Sequence, residues 1–410
     1  MEWQRTTQVL VVGAGPAGSA AAAWAAHAGR EVLLLDAAEF PRDKTCGDGL
    51  TPRAIAELEL LGMGTWLTGR PVNQGVRMIG FGRTHELAWN GPNQPSYGSA
   101  APRTELDDAL RQRAVAQGVQ FLGGHRVVDV IMSGDRVAGV VCKGPAGTVA
   151  IGCERLIVAD GVRSQTGRHL GRTWHRDTVY GVAARAYIDS DMHTDPWITS
   201  HLELRDEHNT VMAGYGWIFP LGNGGVNVGV GTLATERRPA DTNLKRLLDV
   251  YVTAQREPWG FSGGVRDVAS AMLPMGGSVS GVAGRNWMFV GDAAGCVNPL
   301  NGEGIDYGLE TGRLAAQLLD LDDLASVWPA TLQAHFGEAF SIARRLGALL
   351  TIPSFLPTFG PVGMSAAAIM RVALRVMGNL VTEADRDAVA RLWRAAGAVS
   401  TRFDARPPWA

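Results

Sequence analysis

Cys46 is the residue whose surroundings first suggest chemistry. It lies in the stretch FPRDKTCGDGLTPRAI, residues 40–55, between a charged run and the turn Gly47-Asp48-Gly49. A structural cysteine usually has apolar neighbours, whereas glycines let a backbone approach a bound group closely. We therefore expect a ligand beside Cys46, whose thiol can donate a proton, form an adduct with the ligand or only pack against it.

Three aromatic residues, Tyr215, Trp217 and Phe219, alternate along the stretch YGWIFPLGNGGVNVGVG. Because successive side chains of a strand point to opposite faces, all three rings are expected on one face. Such rings can guide an apolar substrate and stabilise developing positive charge by roughly 0.5–2 kcal/mol each. The alternative is that this face fills a core, which is disfavoured because the indole and phenol groups need hydrogen-bond partners. Tyr215 is also a second candidate proton donor.

A nucleotide-binding pattern near the start of the chain must position these side chains. An apolar run at residues 8–12 leads into Gly13-Ala14-Gly15-Pro16-Ala17-Gly18; an alanine-rich helix follows, and a second apolar run, 32–35, ends at Asp36. In this pattern the glycines permit a tight turn, the approach of a pyrophosphate and close packing of helix on strand. A carboxylate at the end of the second strand accepts ribose hydroxyls and disfavours a 2′-phosphate, so the pattern predicts NAD or FAD.

Two further strand ends lie far along the chain. The run LIVADGVRS ends its apolar part at Asp160-Gly161, and NWMFVGD ends at Gly291-Asp292, shortly before NPLNGEGI and a predicted helix. In a parallel sheet these ends and the first glycine turn meet at one crevice. A carboxylate and several backbone N–H groups at this crevice can bind a sugar-alcohol chain and the polar edge of a ring. A simple nicotinamide enzyme does not need the third strand end.

Together these features resemble the flavoproteins that share the p-hydroxybenzoate hydroxylase fold. The stretches PRDKTCGDGLTPRAI and YGWIFPLGNGGVNVGVG narrow the resemblance to the geranylgeranyl reductase family, and the match runs over nearly the whole chain. The resemblance implies bound FAD and reduction of an isoprene double bond in a prenyl lipid, most closely the tail of menaquinone. Such a bond is unactivated, so we expect protonation at one carbon and hydride capture at the other.

The residue types and their alternation give the candidate catalytic set, Cys46, Tyr215, Trp217 and Phe219, which would face the reacting bond. The resemblance assigns roles in binding FAD. Asp36 is expected to bind the adenosine ribose of FAD, Arg103 the phosphate or ribityl region and Asp292 the ribityl chain, while Asp160 lies in the crevice. The residues expected at the pyrophosphate are Gly13, Ala14, Gly15, Pro16, Ala17 and Gly18. Those expected beside the flavin ring are Cys46, Gly47, Asp48, Gly49, Gly302, Gly304 and Ile305.

The predicted fold is α/β: a doubly wound FAD-binding domain with an inserted antiparallel β-sheet substrate domain and a C-terminal helical segment. Both domains are expected to be discontinuous in sequence. The predicted limits are 1–75, 103–171 and 284–345 for the FAD-binding domain, 76–102 and 172–283 for the substrate domain, and 346–410 for the C-terminal segment.

Composition narrows the partners and the location. A net charge of −2 argues against nucleic acid, because phosphate neutralisation needs a basic excess. The four cysteines form no C-x-x-C pair and the nine histidines show no metal-site spacing, so no metal is expected. The N-terminus runs straight into a strand without a signal pattern, which predicts a cytoplasmic protein. No nicotinamide motif is evident, so the electron donor is open between NAD(P)H and a redox protein.

The C-terminal segment is unusual in composition. Residues 346–370 carry no charge, but Pro353, Pro357 and Pro361 exclude one continuous helix. The run AAAIMRVALRVMGNLV then places Arg371 and Arg375 on one helical stripe. The segment could lie on the inner face of the cell membrane or line a lipid tunnel. The alternative is a helix that packs on the flavin domain with its arginines in water.

Two rival functions share these features. Flavin monooxygenases and halogenases have the same fold, and halogenases carry a W-x-W-x-I-P strand where this chain has Tyr215-x-Trp217-x-Phe219-Pro220. The catalytic lysine of halogenases has no convincing match here. A lipid-binding escort protein without flavin turnover is the non-enzyme alternative, and the intact glycine motif with Asp36 and Asp292 argues against it.

Overall fold

The computed structural model describes residues 2–410. In chain order its strands are β1 Arg5–Val12, β2 Val32–Leu35, β3 Gly49–Leu50, β4 Val72–Asn73, β5 Gly75–Gly80, β6 Arg83–Ala88, β7 Gly98–Ala100, β8 Gln120–Leu122, β9 Arg126–Ser133, β10 Arg136–Gly144, β11 Gly147–Val158, β12 Thr173–Trp174, β13 Tyr180–Ser190, β14 Trp197–His201, β15 Gly214–Pro220, β16 Gly225–Ala234, β17 Phe261–Pro274, β18 Val279–Ser280, β19 Ala283–Gly284 and β20 Trp287–Phe289.

The helices follow the same order. They are α1 Pro16–His27, α2 Pro52–Leu60, α3 Gly64–Leu67, α4 Arg103–Ala116, α5 Gln165–His169, α6 Leu244–Gln255, α7 Ile305–Gln317, α8 Leu324–Leu332, α9 Glu338–Leu350, α10 Phe355–Gly363, α11 Ala367–Met377 and α12 Ala388–Thr401, with a short 3₁₀ turn at Gly291–Ala294 and a π turn at Gln333–Gly337.

The first sheet carries the nucleotide pattern. Its order is β19-β20-β11-β1-β2-β8, and β1 runs parallel to both β11 and β2. Strand β11 is in turn parallel to β20, while β9 and β10 extend the sheet as an antiparallel meander. The apolar run of β1 is buried from Val9 to Val12, as expected of a parallel strand covered on both faces.

The second sheet lies over the crevice of the first. Its order is β17-β13-β16-β15-β14-β5-β6, and every pair is antiparallel except β14 with β5. Helix α6 packs on one face through Leu247, Leu248 and Tyr251, against a core that includes Ile218. The mixed α/β architecture with a helical C-terminus confirms the predicted fold class, while the domain limits given above remain a prediction.

The C-terminal helices close the side of the second sheet. Met370 and Leu374 of α11 pack in a cluster with Val76, Met78 and Trp89. The chain breaks between α9 and α10, as the prolines predict, yet Pro361 lies inside α10. Within residues 2–410, no single helix is long and apolar enough to span a membrane. The helical segments Leu324–Leu350 and Phe355–Gly363 reach that length and hydropathy only together, and they are bent by 114° relative to each other.

One of the alternatives for α11 places both of its arginines in water, and the structure does not agree with it. Arg371 is exposed, but Arg375 is buried and its guanidinium contacts the carboxylates of Asp385 and Asp387. Burial lowers the pKa of Arg375, but the hydrogen bonds to the two carboxylates raise it by more, so the pKa is higher than usual. The two arginines therefore do not form one solvent-facing stripe, because the turn before α12 folds back onto the helix.

Candidate functional site

Three strand ends meet at one edge of the first sheet. Val12 pairs with Val158, which pairs with Phe289, so β1, β11 and β20 end side by side. The Ala159 N–H donates to the Val12 carbonyl at 2.7 Å, and the Val290 N–H donates to the Val158 carbonyl at 3.0 Å. The convergence predicted from the sequence is therefore present in the fold.

The glycine motif is required by close backbone contacts. Gly13 has φ +102°, and a Cβ there would lie 2.3 Å from the Ala159 carbonyl oxygen. A Cβ on Gly18 would lie 1.7 Å from the Gly13 carbonyl oxygen, so helix α1 can pack on the turn only without it. Gly15 precedes Pro16 at the start of α1, where no side chain caps the helix. These free N–H groups and the helix dipole suit a phosphate.

Two guanidinium groups lie beside this helix end. A Cβ on Gly15 would lie 3.5 Å from Arg42 and 3.7 Å from Arg103. Arg103 is buried and donates from Nε and Nη2 to the two oxygens of Asp107, each at 2.7 Å, and Arg42 donates to the same carboxylate at 2.6 Å. Arg42 also lies 3.7 Å from Asp36, so the two guanidinium groups share two carboxylates, but both keep N–H groups near Gly15 that suit an anion.

Asp36 lies at the end of β2, where the sequence predicts a ribose contact. Its Oδ2 accepts from the Ala14 N–H at 2.8 Å and its Oδ1 from the Ala38 N–H at 2.9 Å. A carboxylate has about four acceptor sites, so Asp36 can still accept ribose hydroxyls. Ala14 is fully buried, so its contribution is the backbone N–H that fixes Asp36.

Asp292 and Asp160 have different surroundings. Asp292 lines the cavity, and its Oδ2 is 2.8 Å from the Lys44 ammonium. Burial alone would raise the pKa of Asp292, but Lys44, Arg103 and Arg172 hold it below its usual range. Asp160 accepts from the Ser164 hydroxyl and the Thr166 N–H, so it holds its own turn together; its contact with a cofactor remains a prediction.

The cavity extends from the start of α1 to the second sheet. It measures about 400 Å³ and is lined by Pro16, Ala17, Cys46, Gly47, Asp48, Gly49, Arg103, Tyr215, Trp217, Phe219, Asp292, Gly302, Gly304 and Ile305 among others. Gly13, Ala14, Gly15, Gly18, Asp36 and Asp160 are absent from that lining. The structure therefore brings together the proposed ring-side residues and the aromatic residues in one space.

The aromatic strand packs against the cysteine loop. Trp217 and Tyr215 have ring centroids 5.9 Å apart, and Trp217 and Phe219 have centroids 6.4 Å apart, so the three rings share one face of β15. A Cβ on Gly47 or Gly49 would lie 3.1 or 3.0 Å from the Phe219 ring. The glycines thus let the loop lie directly on the aromatic face.

The polar groups of these rings have partners. The Tyr215 hydroxyl donates to the Asn301 carbonyl at 2.7 Å, which ties β15 to the loop before α7. The Trp217 N–H donates to Asn227 Oδ1 at 2.9 Å. Asn227 is fully buried and donates to the Cys46 carbonyl and to Asp48 Oδ2. One amide therefore joins the cysteine loop to the aromatic strand.

Burial dominates the electrostatics of the loop. It raises the pKa of the Cys46 thiol, although Arg103 acts in the opposite direction, and the sulfur accepts from the Asp48 N–H at 3.3 Å. Burial also raises the pKa of Asp48 to about 6, although the Tyr187 hydroxyl and Asn227 donate to its Oδ2. Asp48 has φ +63°, a conformation that Asp and Asn adopt more readily than most residues.

Several side chains of the site were not anticipated. Arg42, Lys44, Asn227 and Glu303 all contribute charges or hydrogen bonds around the cavity. Each of them lies inside one of the sequence stretches quoted above, so those stretches indicate the region of the site. The partners are 65 to 252 residues away in sequence, and no local pattern indicates them.

The residues present fit FAD. The open end of α1 with Arg42 and Arg103 suits a pyrophosphate, and Asp36 retains acceptor sites for a ribose. Asp292 can accept from ribityl hydroxyls once it exchanges its Lys44 contact, and the start of α7 at Ile305 has no side-chain cap. When bound and reduced, FAD would supply hydride chemistry at this site.

Comparisons with known proteins agree with this site. Residues 6–319 match the FAD binding domain family. The chain is 59% identical over 404 residues to a menaquinone reductase of Mycobacterium tuberculosis, with 98% of each protein covered. It is 30% identical over 353 residues to digeranylgeranylglycerophospholipid reductase 1 of Methanopyrus kandleri, covering 83% of this chain and 90% of that protein.

A solved structure supports the fold. A geranylgeranyl bacteriochlorophyll reductase-like protein from Thermoplasma acidophilum superposes with a TM-score of 0.73 at 22% identity, covering 92% of this chain and 98% of that one. The fold and the site thus define an FAD-dependent oxidoreductase. The chain belongs to the geranylgeranyl reductase family, whose members reduce double bonds of prenyl chains. The predictions of FAD and of a prenyl reductase, in preference to an oxygenase or an escort protein, are confirmed.

Proposed function

We propose that this reductase saturates an isoprene double bond in the tail of menaquinone. The observation that carries the proposal is the cavity in which Tyr215, Trp217 and Phe219 face the cysteine loop and the expected flavin site. Its lining is mostly apolar and includes Val76, Met78, Ile198 and Leu202 from the second sheet, as a hydrocarbon tail requires. The 59% identity to a menaquinone reductase supports this choice of lipid.

The aromatic residues would hold the tail and stabilise positive charge as the double bond is protonated. Each ring contributes roughly 0.5–2 kcal/mol where water is excluded. The cysteine loop packs on the Phe219 ring, so Cys46 and the flanking glycines would line the same wall of the cavity. The proposed contacts of Gly13 to Gly18, Asp36, Arg103, Asp160, Asp292 and the 302–305 turn with FAD belong to this same proposal.

We also infer that the C-terminal helices contact the inner face of the membrane. Phe359 and Val362 of α10 are 56% and 61% exposed, and Ile369 and Val372 of α11 are also exposed. The same helices line the cavity through Leu356 and Leu374, so one segment joins an apolar surface to the substrate space. A tail could therefore enter without crossing water.

The substrate is tested by competition between two lipids. FAD-loaded protein is reduced chemically without oxygen and offered equal amounts of menaquinone and a geranylgeranylated phospholipid, whose products are then analysed by mass spectrometry. Saturation of the menaquinone tail is expected. Preferential saturation of the phospholipid would keep the reductase and refute the substrate.

Membrane contact is tested separately by sedimentation with vesicles of anionic and zwitterionic phospholipid. Phe359→Asp with Val362→Asp should release the protein from the vesicles. Met132→Asp on β9 of the first sheet is the matched control, since this methionine is 47% exposed and lies outside both the cavity lining and the C-terminal helices. Equal vesicle binding of all three proteins would contradict the inferred surface. Supplying NADPH or a reduced redox protein in place of the chemical reductant identifies the class of electron donor.

A further inference from the structure

A glutamate that lines the cavity has no assigned role. Glu303 lies in the loop before α7, and its Oε1 accepts from the Thr51 hydroxyl at 2.5 Å. That hydroxyl accepts in turn from the Ala54 N–H, so its single hydrogen is directed at Glu303. The other oxygen, Oε2, is buried and has no hydrogen-bond partner within residues 2–410. A buried oxygen of this kind is expensive as a carboxylate and acceptable as the O–H of an acid.

The charges around Glu303 favour the neutral form. Asp306 and Tyr307 face it from α7, Arg53 from α2 and Tyr215 from β15. Arg53 is already paired with Glu310 at 2.8 Å, so its charge is largely compensated. Burial first, and then Asp306, raise the pKa of Glu303 well above its usual range, although the hydrogen bond from Thr51, the charge of Arg53 and the Asn301 side chain act in the opposite direction. Burial and the Asp306 carboxylate therefore favour the protonated form of Glu303.

The other acids of the cavity are less suited to give up a proton. The Tyr215 hydroxyl donates to the Asn301 carbonyl, and burial raises its pKa further. Burial raises the pKa of the Cys46 thiol, already a weak acid. Asp48, with a pKa of about 6, is mainly ionised at neutral pH. Where several titratable groups share a site, the group held neutral by its surroundings is the one that acts as acid.

We propose that Glu303 is the catalytic acid that donates the proton to the isoprene double bond, an inference that rests on the proposed function. The O–H bond of the Glu303 carboxyl group breaks and a C–H bond forms at one olefinic carbon with the π electron pair. The other carbon receives the hydride, whose two electrons come from the reduced cofactor. Glu303 is left as a carboxylate and takes a proton from water before the next turnover.

The first test measures the proton itself. Infrared spectra of FAD-loaded protein in H₂O and D₂O should contain a protonated carboxyl band at pH 7 that is missing in Glu303→Gln. Glu154→Gln, on an exposed part of β11, is the matched control and should keep the band. Absence of any band that depends on Glu303 would overturn the proposal whatever the substrate.

The second test measures its transfer. In anaerobic single turnovers at saturating FAD, Glu303→Gln should saturate the tail at least about a hundredfold more slowly, the usual contribution of a general acid. The rate of the wild type should fall as high pH ionises Glu303, and this fall should be absent in the variant. Glu303→Asp keeps the acid and should recover part of the rate, and it serves as the informative variant if the glutamine form fails to fold.

The outcomes separate the two proposals. A wild type that saturates neither menaquinone nor the phospholipid refutes the proposed function, and the infrared band then shows only that Glu303 is an acid without this role. A wild type that is active while Glu303→Gln is equally fast refutes the catalytic acid alone. If Cys46→Ala is then slow and loses the pH dependence, the thiol is the donor.

Discussion

Asn227 is the side chain whose removal tests the architecture of the site most sharply. Its amide donates to the Cys46 carbonyl at 2.9 Å and to Asp48 Oδ2 at 2.8 Å, and it accepts from the Trp217 indole at 2.9 Å. It is fully buried on β16, so no water replaces these bonds when they are lost. Asn227→Ala should therefore release the cysteine loop from the aromatic strand while leaving β16 paired.

The size of the effect follows from the two hydrogen bonds that reach the loop, since the bond to Trp217 joins two strands of the second sheet. Each contributes about 1 kcal/mol net, so the free energy of opening the loop should fall by about 2 kcal/mol. Since 1.4 kcal/mol is a factor of ten, amide hydrogens of the loop should exchange about thirtyfold faster. The carboxylate partner makes this a lower bound, because bonds to charged groups are stronger.

The assay is hydrogen exchange of FAD-loaded protein, followed by mass spectrometry of peptides. The informative amides are those of residues 46–50 and of Ala101, whose N–H donates to the Asp48 carbonyl at 2.9 Å. Asn223→Ala, in the exposed turn before β16, is the matched control and should leave the loop protected. Unchanged exchange at residues 46–50, or an equal increase over the whole second sheet, would refute the role given to Asn227.

Three further outcomes are expected. Gly18→Ala should yield protein without bound flavin, measured as absorbance per chain, because the new Cβ would meet a backbone oxygen at 1.7 Å; Gly64→Ala, with no atom within 4 Å, should stay yellow. Asp48→Asn should stabilise the protein at pH 8 by up to about 3 kcal/mol in urea unfolding. The pKa of Asp48 in the folded protein, about 6, exceeds its unfolded value, so the stability of the wild type falls as pH rises from about 4 to 6. The greater stability of Asp48→Asn should therefore vanish at low pH. A difference in stability that does not depend on pH would contradict this reasoning. Gly229→Ala should keep FAD and lose tail saturation, since its Cβ would meet the Trp217 ring at 2.1 Å and push it into the cavity; full activity would contradict the substrate face.

Much of the fold could be predicted because it depends on local patterns. The turn at Gly13 is predicted by the apolar strand, the spacing of the glycines and the helix that follows. The alternation of Tyr215, Trp217 and Phe219 places their rings on one face of a strand, independently of what packs against that face. The ends at Asp160 and Asp292 follow from the rule that ligands bind at the carboxyl ends of parallel strands.

The remaining features depend on distances that no local pattern carries. Glu303 has an unpaired oxygen only because Thr51, far along the chain, directs its hydroxyl at the other one. Arg375 is buried because the turn at Asp385 returns to it, and its spacing from Arg371 does not indicate this contact. In the sequence Asn227 is an ordinary polar residue of a strand, and only the folded structure shows its hydrogen bond to the cysteine loop.

The central claim is that electrons from the reduced cofactor enter the isoprenoid tail. The most direct measurement mixes chemically reduced, FAD-loaded protein with menaquinone without oxygen and follows both the flavin absorbance and the mass of the lipid. Air is admitted before analysis so that a quinol returns to the quinone and gains no mass. The account predicts one saturated double bond, two added hydrogens located in the tail, for each flavin that returns to its oxidised form. A flavin that is reoxidised with no change in the tail, or only when oxygen is consumed, would contradict it.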